Sequence, residues 1–239
     1  MGTIHMKVKS LLATSVLAAS AVASSVAMAD SPFTANIGVT SNYMWRGLTQ
    51  TSDQSAIQGG LDYAFSNGAY VGTWASNVSW TDPIGYELDL YGGYGFDVGK
   101  TSWDVGYIYY GYPLTEDTTT TDAADFGEVY VNFSWTWLGL GAAYQTNAKT
   151  SDPAVEDSGN LYYYVSGSWD VGGLGLGATV GRYTFKNASD LDYSYVEASL
   201  SKDDFTFSIS KTNADETDWG DSTISDPRVW ISWSKSFDL

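Results

Sequence analysis

The sequence predicts an all-β protein, a transmembrane up-and-down antiparallel β-barrel of about twelve strands. Three observations lead there. Segments of roughly ten residues alternate apolar and polar side chains with a period of two. The connections between them alternate in length, short then long, in step with strand number. Outward aromatic residues gather near segment ends and aliphatic ones nearer the middles, the girdle-and-band layout of a lipid-facing wall.

The chain opens with Met1 to His5, which reads as a cloning scar ahead of a natural start at Met6. Lys7 and Lys9, the apolar run Leu11 to Val26, and Ala27-Met28-Ala29 form the three regions of a secretory signal peptide. Residues 6–29 are therefore expected to be removed, leaving residues 30–239 as the barrel. No later stretch reaches the roughly 18 apolar residues of a membrane helix, so a crossing has to use a closed barrel. The sequence contains no cysteine, and its one histidine is His5. That excludes Ser-His-Asp and Cys-His catalysis and histidine-bound zinc in the mature chain. A net charge of −17 makes nucleic acid an unsuitable partner.

Each segment follows in order. Phe33 to Arg46 sets Phe33, Ala35, Ile37, Val39, Tyr43 and Trp45 on its apolar face, against Thr34, Asn36, Thr40, Asn42 and Arg46. Ala56 to Phe65 sets Ile57, Leu61, Tyr63 and Phe65 against Gln58 and Asp62. Ala69 to Val78 carries apolar residues in both phases, so its faces stay unassigned. Tyr86 to Phe96 opposes Leu88, Leu90 and Tyr94 to Glu87, Asp89 and Tyr91. Ser102 to Tyr110 opposes Trp103, Val105, Tyr107 and Tyr109 to Asp104, Ile108 and Tyr110. Asp125 to Trp135 opposes Val129, Val131, Phe133 and Trp135 to Glu128, Tyr130, Asn132 and Ser134.

Leu138 to Gln145 turns Leu138, Leu140, Ala142 and Tyr144 outward, and Asn160 to Trp169 sets Leu161, Tyr163, Val165 and Trp169 against Tyr162 and Tyr164. Leu174 to Tyr183 and Phe205 to Lys211 follow the same rule, and Asp192 to Ser201 follows it more weakly, with Val196, Ala198 and Leu200 opposing Glu197. Val229 to Phe237 closes the series and must pair with the first strand. Short links such as Ser66-Asn67-Gly68 and Lys202-Asp203-Asp204 follow even-numbered segments, whereas Tyr112 to Ala124, Thr146 to Gly159 and Thr212 to Asp226 follow odd ones. A Greek-key sandwich has no reason to keep that step.

Candidate chemistry lies on the inferred inner face. Asp62, Glu87, Asp89, Asp104, Glu128 and Glu197 point a row of carboxylates inward. Such a lumen favours cations, unless Arg46, Arg182 and Arg228 neutralise it, and three arginines cannot balance six carboxylates. Arg46 and Arg228 are both expected at the outer end, paired with Glu87 or Glu128 or facing an anionic solute. Paired carboxylates also suit a glycosidase, but any acidic barrel offers them. The acidic loop residues Glu116, Asp117, Asp122, Asp152, Glu156, Asp157, Asp215, Glu216, Asp218 and Asp221 follow no calcium-loop spacing and read as a solvated rim. Gly173-Leu174-Gly175-Leu176-Gly177-Ala178 has the form of a dinucleotide fingerprint, but it continues as a strand instead of opening a helix.

The run Ser41-Asn42-Tyr43-Met44-Trp45-Arg46-Gly47-Leu48-Thr49-Gln50-Thr51, with Gly72 to Asn77 further on, resembles the N-terminal signature of the TorF family of outer-membrane porins. The resemblance implies an outer-membrane barrel with solute passage, and supplies no catalytic residue. Such barrels usually end on an aromatic residue, whereas Asp238-Leu239 follow Phe237 here, which implies weaker recognition by the insertion machinery. The expectation is a Gram-negative outer-membrane channel for passive diffusion of small hydrophilic solutes, mildly cation-preferring, with no cofactor or metal. Its partners would be membrane lipid, lipopolysaccharide and small polar solutes. The alternatives are a plugged structural or ligand-binding barrel and a membrane hydrolase, the latter disfavoured by the missing histidine.

Overall fold

In a computed structural model, which describes residues 31–79, 85–113, 125–149 and 158–239, twelve antiparallel strands close on themselves. They are β1 (Phe33–Thr40), β2 (Ala56–Ala64), β3 (Ala69–Val78), β4 (Gly85–Val98), β5 (Thr101–Gly111), β6 (Asp125–Trp135), β7 (Leu138–Lys149), β8 (Leu161–Val171), β9 (Leu174–Thr184), β10 (Tyr193–Lys202), β11 (Phe205–Thr212) and β12 (Arg228–Asp238). Each strand pairs with its sequence neighbours, and β1 pairs with β12 from Thr34↔Asp238 to Thr40↔Ser232. No edge is left, so the strands of the wall pair on both sides.

The alternation has the polarity of a membrane barrel. Ile57 is 67% exposed on the outer face, and Leu90, Val165, Val180, Val196 and Phe207 are exposed with it. The inner face buries Gln58, Asp62, Glu87, Glu128, Ser208 and Ser232. A continuous apolar exterior of this extent is costly in water. Covering a large aliphatic side chain is worth about 1.5–3 kcal/mol, so lipid around the belt supplies tens of kcal/mol. Aromatic contacts mark one rim: Trp103 lies between Phe96 and Phe133, at 6.5 and 5.0 Å between ring centres, and Trp137 stacks on Trp169 at 5.7 Å. This rim sits at the end of the short turns, where φ is positive at Gly99, Thr136, Gly172, Gly173 and Asp203, as tight hairpins require.

Two expectations change. β3 faces Tyr70, Trp74, Ser76 and Val78 inward, because Trp74 packs against Tyr43 inside the barrel at 5.5 Å. The first strand stops at Thr40, not Arg46. Tyr43 and Trp45 therefore do not face lipid. Tyr43 is buried, and both belong to a segment that folds into the lumen. The apolar alternation of that segment is real, but it is matched to a protein interior.

Candidate functional site

At the end of the long loops, residues 41–55 turn inward and form a miniature hairpin, with Met44 opposite Thr49 and Trp45 opposite Leu48. Its turn is Arg46-Gly47, with φ of 49° and 84°, the doubly left-handed geometry of a type I′ turn. A Cβ on Gly47 would lie 2.6 Å from the Tyr195 Cβ. Gly47→Ala is accordingly expected to cost about 1–2 kcal/mol from backbone strain alone, and more from the clash. A urea titration of the refolded protein in lipid measures it, and an unchanged midpoint would show that the hairpin does not sit against β10.

Asn42 knits the base of the hairpin. Its Nδ2 donates to Asp53 Oδ1 at 2.7 Å, while its Oδ1 accepts from Thr49 Oγ1 at 2.6 Å and Thr51 Oγ1 at 3.3 Å. The Tyr43 N–H donates to Thr51 Oγ1 at 3.1 Å, and the Gln50 N–H to the Tyr43 carbonyl at 2.7 Å. The run that carries the family resemblance in the sequence is thus a self-bonded lumen insert.

Arg46 carries the insert across the barrel. Its Nη1 and Nη2 donate to Glu128 Oε1 and Oε2 at 2.7 and 2.6 Å, a bidentate pair buried at both ends. The guanidinium carbon sits 4.2 Å from the Trp45 ring centre and 4.1 Å from that of Tyr162, within cation–π range. The register of β6 against β7 shifts between Gly127 and Glu128, which leaves Thr146 of β7 as the extra residue, while Glu128 itself lies inward by the alternation of β6. Tyr110 donates to the same carboxylate at 3.3 Å. Trp45 joins the two sides of the wall, with Tyr110 and Tyr183 each 5.9 Å away. Side chains thus cross the lumen at this level.

The remaining carboxylates divide into tiers. Glu87 and Asp89 lie side by side at the long-loop end, each 1% exposed. Tyr43 donates to Glu87 Oε1 at 3.2 Å, and Asp89 Oδ1 has no hydrogen-bond partner among the described residues. Near the short turns, Tyr91 donates to Asp62 at 2.6 Å, and Tyr70 and Asn132 donate to Asp104 at 2.7 and 3.2 Å. The Tyr70 hydroxyl also meets that of Tyr130. Glu197 is half-buried between Thr179 and Ser210 in register. Among the described residues, no group of three or more metal-ligating side chains converges.

The arginines behave unequally. Arg46 meets Glu128, one of its two expected partners. Arg228 reaches neither Glu87 nor Glu128. Its Nε donates to Asp53 at 2.8 Å and its Nη1 to the Thr223 and Ile224 carbonyls at 3.1 Å. It thereby pins the first long loop to the last. Arg182 does not compensate the interior, because it stands opposite the outward Tyr163 and pairs with Asp192 at 3.1 Å. The inner tyrosines Tyr91, Tyr110, Tyr130, Tyr162 and Tyr164 lie where the alternation puts them, and Tyr70, Tyr183, Tyr193 and Tyr195 join them. Strand parity would have found Tyr183 and Tyr195, while only the hairpin explains Trp74. Of the acidic rim, Glu116, Asp117, Asp122, Asp152, Glu156 and Asp157 lie outside the described residues.

Residues 26–237 match the profile of the Gcw_chp family, described as bacterial proteins of unknown function. No curated protein matches the sequence. Among solved structures, the KdgM porin aligns at a TM-score of 0.53 and 7% identity, over 86% of this chain and 99% of its own. The KdgM porin in complex with disordered oligogalacturonate aligns at 0.50 and 7%, over 87% and 98%. A chain solved in work on in-meso crystallization of membrane proteins aligns at 0.51 and 9%, over 87% and 84%. The likeness is one of fold.

Proposed function

We propose that this chain, which belongs to the bacterial Gcw_chp family, is an outer-membrane porin for passive diffusion of small hydrophilic solutes, with the Arg46 hairpin as its constriction. The observation that carries this reading is a wall that is apolar outside and lined inside by buried polar and tyrosine side chains, with a loop hairpin folded into it. Twelve strands enclose a modest lumen. Hydroxyls and carboxylates along it replace part of a solute's hydration, and no energy source or cofactor is needed. A signal peptide over residues 6–29, membrane lipid and lipopolysaccharide as surroundings, and kinship with TorF porins belong to the same proposal. In that setting the short turns face the periplasm and the hairpin faces outward.

Mild cation preference is also part of the reading. Both interior arginines are already paired with carboxylates, and among the described residues no cation pairs with Asp62, Glu87, Asp89, Asp104 or Glu197. The oligogalacturonate held by the KdgM porin is polyanionic, so that solute is not carried over. In a planar bilayer under a salt gradient, the reversal potential is expected to have the cation-selective sign. The double substitution Asp62→Asn/Asp104→Asn is expected to lower the cation-to-anion permeability ratio by about half. Anion selectivity in the unaltered protein would reject this part.

The second reading, a plugged ligand-binding barrel, draws on the filled tier around Trp45 and Arg46. Bilayer conductance separates the two. Steps from the unaltered protein favour the porin, and a seal that persists after the hairpin anchor is cut favours the plug.

A further inference from the structure

Above the hairpin, at the long-loop end, lies a cavity of about 420 Å³. Trp45 and Leu48 of the hairpin border it, with Phe126, Tyr183 and Tyr193 from the wall. Trp219 borders it from α1 (Glu216–Trp219) in the last long loop, with its ring edge-on to Tyr193 at 5.7 Å and to Phe185 at 5.8 Å. The size falls in the range of small-molecule sites and well above that of a cavity that takes up benzene.

The polar groups in this wall define what fits. The Tyr193 hydroxyl and the Trp219 Nε1 are shielded from solvent, and among the described residues neither has a hydrogen-bond partner. An indole N–H can only donate, and a buried donor left unpaired is destabilising. The indole N–H therefore asks for an oxygen acceptor, and the Tyr193 hydroxyl, which can donate or accept, can share it. An ammonium has no acceptor to offer.

Charge restricts the choice further. Asp221 borders the cavity, and the Thr223 N–H and hydroxyl, each at 2.8 Å, hold its carboxyl below the usual carboxylate range. Arg228, which also borders the cavity, is already committed to Asp53 and to loop carbonyls, and Arg46, against the Trp45 and Tyr183 rings, to Glu128. A carboxylate ligand would enter a net negative mouth on a chain of charge −17.

We infer that this vestibule binds a neutral small molecule with a flat apolar body and a carbonyl or comparable oxygen acceptor, held between the Trp45 and Trp219 sides with its oxygen toward Tyr193 and Trp219. The site stands whether or not the bound molecule goes on to cross the barrel. It adds a recognition step at the mouth that a lumen for hydrophilic solutes does not require.

Three probes of matched shape test it: 2-acetonaphthone, 2-ethylnaphthalene and 2-naphthoate, titrated by ligand-observed NMR into the full chain in nonionic detergent, with empty micelles as blank. The unaltered protein is expected to bind 2-acetonaphthone about tenfold more tightly than the other two. Tyr193→Phe/Trp219→Phe keeps aromatic rings at both positions and removes both donors. It is expected to reduce the preference over 2-ethylnaphthalene to within about twofold, with the heat-modifiable gel shift of the folded barrel unchanged. Equal binding of the three probes, tightest binding of 2-naphthoate, binding no greater than to micelles, or a preference that survives both substitutions would overturn the assignment. A sealed bilayer alongside the expected preference would count against the porin and leave this site standing.

Discussion

Glu128→Ala is expected to raise single-channel conductance at least about twofold. The bidentate pair with Arg46 is buried at both ends, and removing one partner of such a pair costs about 3–5 kcal/mol because the other charge is stranded. At 1.4 kcal/mol per tenfold, that shifts the balance between an inserted and a withdrawn hairpin by about two to three and a half orders of magnitude. Withdrawal lets Arg46 regain water without unfolding the wall, since β1 ends at Thr40 and β2 begins at Ala56 on the far side of the insert. The barrel should therefore stay folded while its lumen widens. Arg46→Met/Glu128→Met supplies the control: apolar side chains of similar length can fill the same space, and conductance should fall back toward the unaltered level. A folded Glu128→Ala barrel with unchanged conductance would mean that the hairpin is not the constriction.

Val180→Arg is expected to destabilise the barrel in lipid by about 2–4 kcal/mol, the cost of an arginine on the lipid face near mid-membrane. Val180 is 57% exposed and stands between Val165 and Val196 in register, in the aliphatic belt. Ser199→Arg, one strand over on the inner face, should cost far less, because it enters a polar interior beside Glu197. Urea titrations of both variants in vesicles make the comparison. Equal midpoints would mean that lipid does not cover the outer face, and the membrane reading would fail with them.

The alternation of side chains carried most of the wall. Once Phe33 or Val229 is placed outward, a period of two fixes every second neighbour. Asp62, Glu87, Asp89, Asp104, Glu128 and Glu197 all lie inward as parity requires. Parity fails where both phases hold apolar residues, as in β3, because periodicity has no contrast to read when Trp74 and Ala75 are adjacent.

The sequence alone determined a closed barrel, its strand count, its inside and outside, and the step of short and long connections, because these follow from local periodicity and turn chemistry. Only the tertiary structure decided that Asn42 to Thr51 turns inward, that Arg46 meets Glu128, that Arg228 binds Asp53 instead of an inner carboxylate, and that Trp219 comes to border the cavity beside Tyr193. Tyr43 and Trp45 show why. An apolar face looks the same in sequence whether lipid or protein covers it, and the partner that covers it comes from strands far along the chain.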